Sequence, residues 1–348
     1  MAPNVTLIVD DQDTSQIQYH CPVTKQQVKG SYFRNTWTTI GSLSCGLQLE
    51  SGWFSHVFNG TQARIWVSIP QSSQNYSYSV KIDDGPFIVH TGEGYFESPI
   101  LEDGMHTIFY AAGDTSLQPA LDYLTVTAGP STPLLGRTVI VDDSEIADYS
   151  GNWSTEAPAT YVLARGSALY NNTTHWTSGA GDSFSYTFNG NSIAIYGVIP
   201  TNNDTLNSTA TWAIDGRPPT AISLPIGSSF VKPMTELFFV DALSPSTHTL
   251  VFNMTDVAPS HFFGIDFIVY NSSASTVPKG STSIPTGGST SKNHTGTIVG
   301  AVVGSVAGVV LVALFLFLYQ RNRRGNSQQR STPWNDIRKN KQAQSAGQ

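Results

Sequence analysis

Segments of this chain recur in the same order in its first and second parts, and that duplication constrains the fold more than any other feature. LIVDDQDTSQIQY near the start returns as VIVDDSEIADY, so that Asp10 and Asp11 match Asp142 and Asp143. WFSHVFNGTQARIWVSIP, residues 53–70, returns without a gap as SFSYTFNGNSIAIYGVIP, residues 183–200. YSVKIDDGPF is answered by ATWAIDGRPP, GMHTIFY by STHTLVF and ALDYLTVTAG by GIDFIVYNSS, at offsets of 130 to 144 residues. Surface loops absorb such small changes of offset at little cost. One architecture has therefore been built twice.

Each copy consists of short runs in which apolar and polar residues alternate, as at Phe184, Tyr186 and Phe188, the period of a strand with one buried face. Asn-Gly at Asn59 and Asn189, and Asp-Gly at Asp84 and Asp215, stand beside these runs, where tight turns need positive φ. No period of 3.6 residues persists in this part of the chain. Charged residues make up only 12% and aromatic residues 11%, which suits a β-rich secreted-type surface better than a helical cytosolic enzyme. The pattern predicts an all-β ectodomain of two tandem antiparallel β-sandwiches, jelly rolls of about eight strands each. Their expected limits are 1–130 and 136–271.

Residues 298–319 read IVGAVVGSVAGVVLVALFLFLY, 22 residues without a charge, long enough as a helix to cross a hydrocarbon core of about 30 Å. The alternative, a buried helix of a soluble domain, rarely stays apolar on every face for six turns. Arg321, Arg323 and Arg324 follow the run, whereas only Lys292 lies close before it, which places the tail in the cytosol and the N-terminus outside. Sequons at Asn4, Asn59, Asn75, Asn152, Asn171, Asn172, Asn203, Asn207, Asn253, Asn271 and Asn293 all precede the run and none follows it, as expected of a glycosylated ectodomain. Net charge is −13 before the run and +6 after it, and so acidic an ectodomain argues against a nucleic-acid partner. The reading is a single-pass protein of the plasma membrane or a secretory-pathway membrane. The first twenty residues contain no cleavable signal peptide pattern; either the span is a reverse signal anchor or a signal is missing or cryptic.

Gly296, Gly300, Gly304 and Gly308 recur every four residues and would line one face of the helix, where a second helix could approach to form a homodimer. Glycine is also simply common in membrane helices. Residues 272–297 are rich in Ser, Thr, Pro and Gly and read as a stalk. The basic tail, 320–348, is expected to be disordered and attracted to anionic lipid. Cys21 and Cys45 are expected to pair as a disulfide in such a compartment, buried thiols being the alternative.

The duplicated order of a VDD opening, an FNG block, an IDG turn, an HT-apolar strand and a closing Asp-aromatic strand resembles a group of uncharacterised single-pass membrane proteins of mushroom-forming fungi. Their duplicated modules are similar in pattern to galactose-binding-like jelly rolls that serve as carbohydrate-binding modules. The Gly/Val-rich span with its Arg stop looks like that of fungal cell-wall sensors. The resemblance covers the whole ectodomain but leaves residues 23–51 unmatched, including the absence there of a counterpart to Thr174–His175–Trp176.

Sugar recognition needs an apolar ring face for stacking and polar groups for the hydroxyls. Tyr149, Trp153, His175 and Trp176 in the second copy, and Tyr32 and Trp37 in the first, fall in segments rich in Asn, Ser and Thr and are the candidate ligand-binding residues. They could equally be packing beneath loops, and glycans at Asn152, Asn171 and Asn172 could cover them. Trp66 and Trp212 read as strand-interior core. Asp10, Asp11, Asp142 and Asp143 could chelate a cation, but carboxylates after a strand more often bond a turn, so no metal or cofactor is expected. His106 and His248 read as packing or hydrogen-bonding residues. No nucleophile elbow, histidine metal pair or phosphate loop is present, and Glu145, Glu156 and Glu236 are not spaced as a paired acid and base. The expected function is non-catalytic binding of cell-wall carbohydrate or a surface partner. A structural or protein-interaction ectodomain is the alternative, and a surface glycoside hydrolase is the weaker one.

Overall fold

Burial alternates along the runs identified above, and this is why they form strands: in Gln62–Ser68 every second side chain is buried, and Ser246–Asp256 alternates in the same way through its centre. The computed structural model describes residues 5–41, 52–69, 76–113, 115–158, 161, 169–199, 207–225, 231–258 and 261–277. Asn4, Asn75, Asn203, Asn293, the stalk beyond 277, the span 298–319 with its glycines and the tail lie outside the described residues. So does Cys45, and with it the expected pairing to Cys21. No helix among the described residues is long and apolar enough to cross a membrane.

The first copy contributes β1 (Thr6–Asp10), β2 (Ile17–Tyr19), β3 (Val23–Gln27), β4 (Thr36–Ile40), β5 (Phe54–Gly60), β6 (Gln62–Ser68), β7 (Tyr76–Ile82), β8 (Ile88–Gly92), β9 (Phe96–Glu97), β10 (Gly104–Ala112) and β11 (Ala120–Thr127). The second contributes β12 (Thr138–Asp142), β13 (Asp148–Ser150), β14 (His175–Thr177), β15 (Ser183–Ile199), β16 (Thr209–Ile214), β17 (Thr220–Ser223), β18 (Lys232–Val240), β19 (Ser246–Asp256) and β20 (Phe263–Ser272). The described residues are all-β apart from short 3-10 turns, and their strands pair antiparallel.

In the first copy one sheet runs β2-β5-β10-β7-β8, and the second copy answers it strand for strand with β13-β15-β19-β16-β17. The facing layer contains β1, β11, β4, β3, β6 and β9 in the first copy and β12, β20, β14, β18 and the end of β15 in the second. Phe54, Phe58 and Tyr110 from one layer pack with Leu7, Ile65 and Leu124 from the other. One difference separates the copies. The first breaks between β5 and β6 at Thr61, whereas β15 runs on for 17 residues and crosses from one layer to the other. A register shift between Gly190 and Ser192 absorbs the crossing.

The copies are joined by antiparallel pairing of β1 with β12, in which Leu7 stands opposite Val139. A second core gathers there from Ile8, Phe33, Tyr123, Ile140, Tyr170, Tyr196 and Phe267. Phe33 reaches Tyr196 of the other copy at 5.4 Å, and Tyr170 reaches Trp66 at 6.5 Å. Residues 1–281 accordingly make one compact unit.

Two expectations need correction. The segment 33–40, FRNTWTTI, is the counterpart of 170–177, YNNTTHWT, because both form a 3-10 turn followed by a strand on the closing strand of their copy. Trp66 and Trp212 do lie in strands, but both are half-buried, and Trp66 faces the contact between copies rather than a sandwich interior.

Candidate functional site

The paired carboxylates that could have held a cation are occupied by the protein itself. Thr36 Oγ1 donates to Asp10 at 3.1 Å and to Asp11 at 2.7 Å, and Thr38 Oγ1 donates to Asp11 at 2.5 Å. In the second copy Thr173 Oγ1 donates to Asp142 at 2.9 Å and to Asp143 at 2.7 Å, while His175 Nδ1 lies 2.5 Å from Asp143. Buried Asp122 accepts the backbone N–H of Phe33 at 2.8 Å, and Asp266 accepts that of Tyr170 at 3.1 Å. These bonds hold two left-handed residues in each turn, Arg34 and Asn35 or Asn171 and Asn172. They thereby aim Phe33 and Tyr170 at the contact between copies. Burial pushes the Asp11 carboxyl up to about 7 and that of Asp143 up to about 6. It drives Asp122 and Asp266 well above the usual carboxylate range, against the pull of the amides they accept.

Histidines 106 and 248 close another repeated bond set. His106 Nδ1 lies 2.8 Å from Asp83 and His248 Nδ1 lies 2.7 Å from Asp215, and each carboxylate also accepts the next backbone N–H, that of Thr107 or Thr249, at 2.8 Å. Asp83 and Asp215 have positive φ, so each clip fixes the turn at the head of its hairpin.

The second copy brings three of its four candidate aromatic residues together. Tyr149 stacks on His175 with centroids 4.1 Å apart, and Trp153 meets Tyr149 at 5.1 Å. The Trp153 indole N–H donates to the carbonyls of Ser150 and Ser183 at 3.2 and 3.1 Å, which fixes a half-buried ring at the edge of the sandwich. Trp176 is different. It is only 2% exposed and packs with Leu169, Val198 and Val231, so it offers no face to a sugar, and its expected role is corrected to core. The alternation of β14 turns His175 and Trp176 to opposite sides. In the first copy Tyr32 and Trp37 stack on each other at 5.2 Å and 2°, separate from the Tyr149 cluster.

Asn152, Asn171, Asn172 and Asn207 are exposed, whereas Asn59, Asn253 and Asn271 are half-buried. Glu145 follows the second carboxylate pair, Glu156 lies beyond Trp153 and Glu236 accepts from Tyr196 at 3.0 Å; among the described residues no hydrogen bond links any two of them. No group of three metal-ligating side chains occurs among the described residues.

The sequence reading missed a groove of about 700 Å³ along β2, β3 and β5 of the first copy. Gln16, Gln18, Lys25, Ser55, Val57 and Arg137 line it. No motif marks these residues; the available signal was that Arg137 introduces the strand that joins the copies. A smaller cleft of about 320 Å³ lies beside β15 and β20, with Asn191, Asp241 and Tyr270 on its walls.

No family model matches the chain, and no curated protein matches it. Distant structural similarity reaches carbohydrate-binding jelly rolls. The N-terminal CBM22-1–CBM22-2 tandem of Paenibacillus barcinonensis Xyn10C is 12% identical, with 78% of this chain and 98% of that one covered at a TM-score of 0.26. CsCBM6-3 from Clostridium stercorarium, solved with cellobiose, is 12% identical over 38% of this chain and 92% of that one, at 0.26. A two-domain esterase active on acetylated mannans, co-crystallised with mannopentaose, is 13% identical over 42% of this chain, at 0.29; the match spans 39% of that protein's length. At such scores these likenesses decide nothing about ligand or chemistry, which rest on the chain's own residues.

Proposed function

We propose that this protein is a single-pass cell-surface glycoprotein whose paired sandwiches bind carbohydrate without chemical conversion. The observation that carries the reading is Trp153: an indole fixed by two backbone carbonyls, half-exposed and backed by Tyr149, among Ser150, Asn152 and Ser154. A ring held in this way loses little entropy when a sugar face stacks on it. The non-catalytic part of the reading is supported by the carboxylates of the repeat, whose oxygens are engaged by Thr hydroxyls and backbone amides. The surface location is supported by the apolar run 298–319, the Arg residues after it and the sequons before it.

The test is a polysaccharide array probed with the full chain and with Trp153→Ala. Binding by the first that the second loses, at unchanged melting temperature, supports the reading; no binding by folded protein rejects it. A protein-interaction ectodomain is the second reading, favoured by β8, an edge strand with Ile88 and Val89 exposed by 58% and 65%. Capture of a surface protein that Val89→Lys abolishes would establish that alternative.

A further inference from the structure

We infer that the groove on the first copy is a second binding site and that it takes an acidic saccharide, a chain bearing uronate carboxylates. The inference rests on the carbohydrate reading, but its location and its charge come from different residues.

The groove exists because the copies are joined. Pairing of Leu7 with Val139 carries Arg137, just before β12, alongside the C-terminal end of β1 and onto the first copy, where its Nη1 donates to Gln16 Oε1. Lys25 on β3 also lines the groove, an exposed side chain with no ion pair among the described residues. The lining thus carries two cations and no carboxylate, on an ectodomain whose net charge is −13. The nearby carboxylate, Asp13, lies within coulombic reach of Arg137 but is engaged by Ser15 and by Gln16 Nε2 at 2.5 Å and is not part of the lining, which leaves Lys25 without an ion pair among the described residues. Such a local reversal of sign selects an anion.

The rest of the lining suits a sugar. Gln18 and Ser55 can bond hydroxyls, and Val57, 52% exposed, gives a ring an apolar rest. A volume of about 700 Å³ admits more than one pyranose ring. A guanidinium and an ammonium in one groove can offer carboxylates a paired and a point contact. The second copy lacks a counterpart: Ser185 and Thr187 stand where Ser55 and Val57 do, and no arginine corresponds to Arg137.

Titration calorimetry of the full chain with a galacturonate trisaccharide, a galactose trisaccharide and a hexaglutamate peptide tests the site. The expected result is binding of the galacturonate at least roughly tenfold tighter than of the neutral sugar, weakened by added salt. Arg137→Gln and Lys25→Gln should each weaken it roughly tenfold, and Arg137→Lys should lose less. Lys25 is exposed, so its variant keeps the test valid if Arg137→Gln unfolds the protein. Equal affinity for the two sugars, indifference to Lys25→Gln, or tighter binding of the peptide overturns the inference. If a neutral glycan still binds through Trp153 in that case, only this inference fails; if no saccharide binds anywhere, the carbohydrate reading fails with it.

Discussion

Leu7 faces Val139 across the β1–β12 ladder, and each is the other's counterpart in the repeat. Antiparallel pairing of a strand with its own equivalent is two-fold by construction, so the joint has the form of an isologous dimer interface inside one chain. Phe33 and Tyr170, also counterparts, reach across that joint to Tyr196 and Trp66.

Because the copies share a sheet and a buried aromatic cluster, they should unfold together. Phe33→Ala, at a residue 1% exposed, should cost about 3–5 kcal/mol and lower the midpoint of one shared urea transition. Two transitions in the wild type, with only one of them moved by the substitution, would refute cooperative coupling of the copies.

The two histidine clips make stability depend on pH with a definite sign. His106 is held above its ordinary pKa by Asp83 and by the Glu102 carbonyl, and His248 by the Ser244 carbonyl and Asp215. A raised folded pKa gives stabilisation that is complete below the unfolded value of about 6.5 and is lost as pH rises through the folded value. Burial pushes Asp83 up, yet the bonds from His106 and Thr107 outweigh it and hold it below the usual range; Asp215 is held low chiefly by His248. Those carboxylates stabilise above about pH 3.9 and lose the effect as pH falls through their depressed values. The clips' contribution should therefore fall between about pH 5.5 and 8.5, so that in paired denaturation series His106→Asn with His248→Asn should make the change of stability with pH less negative than in wild type. An unchanged slope would count against the clips.

Much of this architecture was legible because repetition and alternation are properties of the chain itself. The shared VDD, FNG and HT segments each fall at equivalent places in the two copies, and the strand period follows from a sheet with one buried face. The match of 33–40 to 170–177 was not legible, since what the two segments share is a pair of left-handed residues and a Thr hydroxyl aimed at carboxylates far away in sequence. Trp176 looked equivalent to Trp153 because both are tryptophans among polar neighbours. Only the alternation of β14, set by pairing with β20, turns it inward. The groove at Arg137 depends on contact between copies, which no local pattern encodes.

The buried carboxylates add a second pH effect of known direction. Burial holds Asp11 at about 7 and Asp143 at about 6 in the folded chain, against about 3.9 unfolded. Their contribution is greatest when they are protonated and falls as pH rises through those values. Asp11→Asn with Asp143→Asn should reduce the loss of stability between pH 4 and 7. Thr36→Val should instead cost about 1–3 kcal/mol at pH 7, because it leaves a buried charge short of a donor. Carboxyl titration by NMR checks the values directly; both groups titrating near 4 would remove the basis of the prediction.

Trp153 and Trp176 provide the sharpest separation of binding from stability. Both belong to the same copy, and β14 brings Trp176 beside Ser154, the residue after Trp153, through paired backbone bonds of 2.7 and 2.8 Å. Their surroundings differ: Trp176 fills a buried cluster with Leu169, Val198 and Val231, whereas Trp153 covers Tyr149 and Phe184 from the edge. Trp176→Ala should cost about 3–5 kcal/mol and, at temperatures where the protein stays folded, leave glycan affinity within about twofold. Trp153→Phe should keep part of the stacking but lose the two bonds that fix the ring, so affinity should fall by less than in Trp153→Ala. Affinity measured beside a urea titration for all three variants decides the matter. A Trp176 variant that stays as stable as wild type but loses the glycan would place the site on the other side of β14 and displace Trp153 from it.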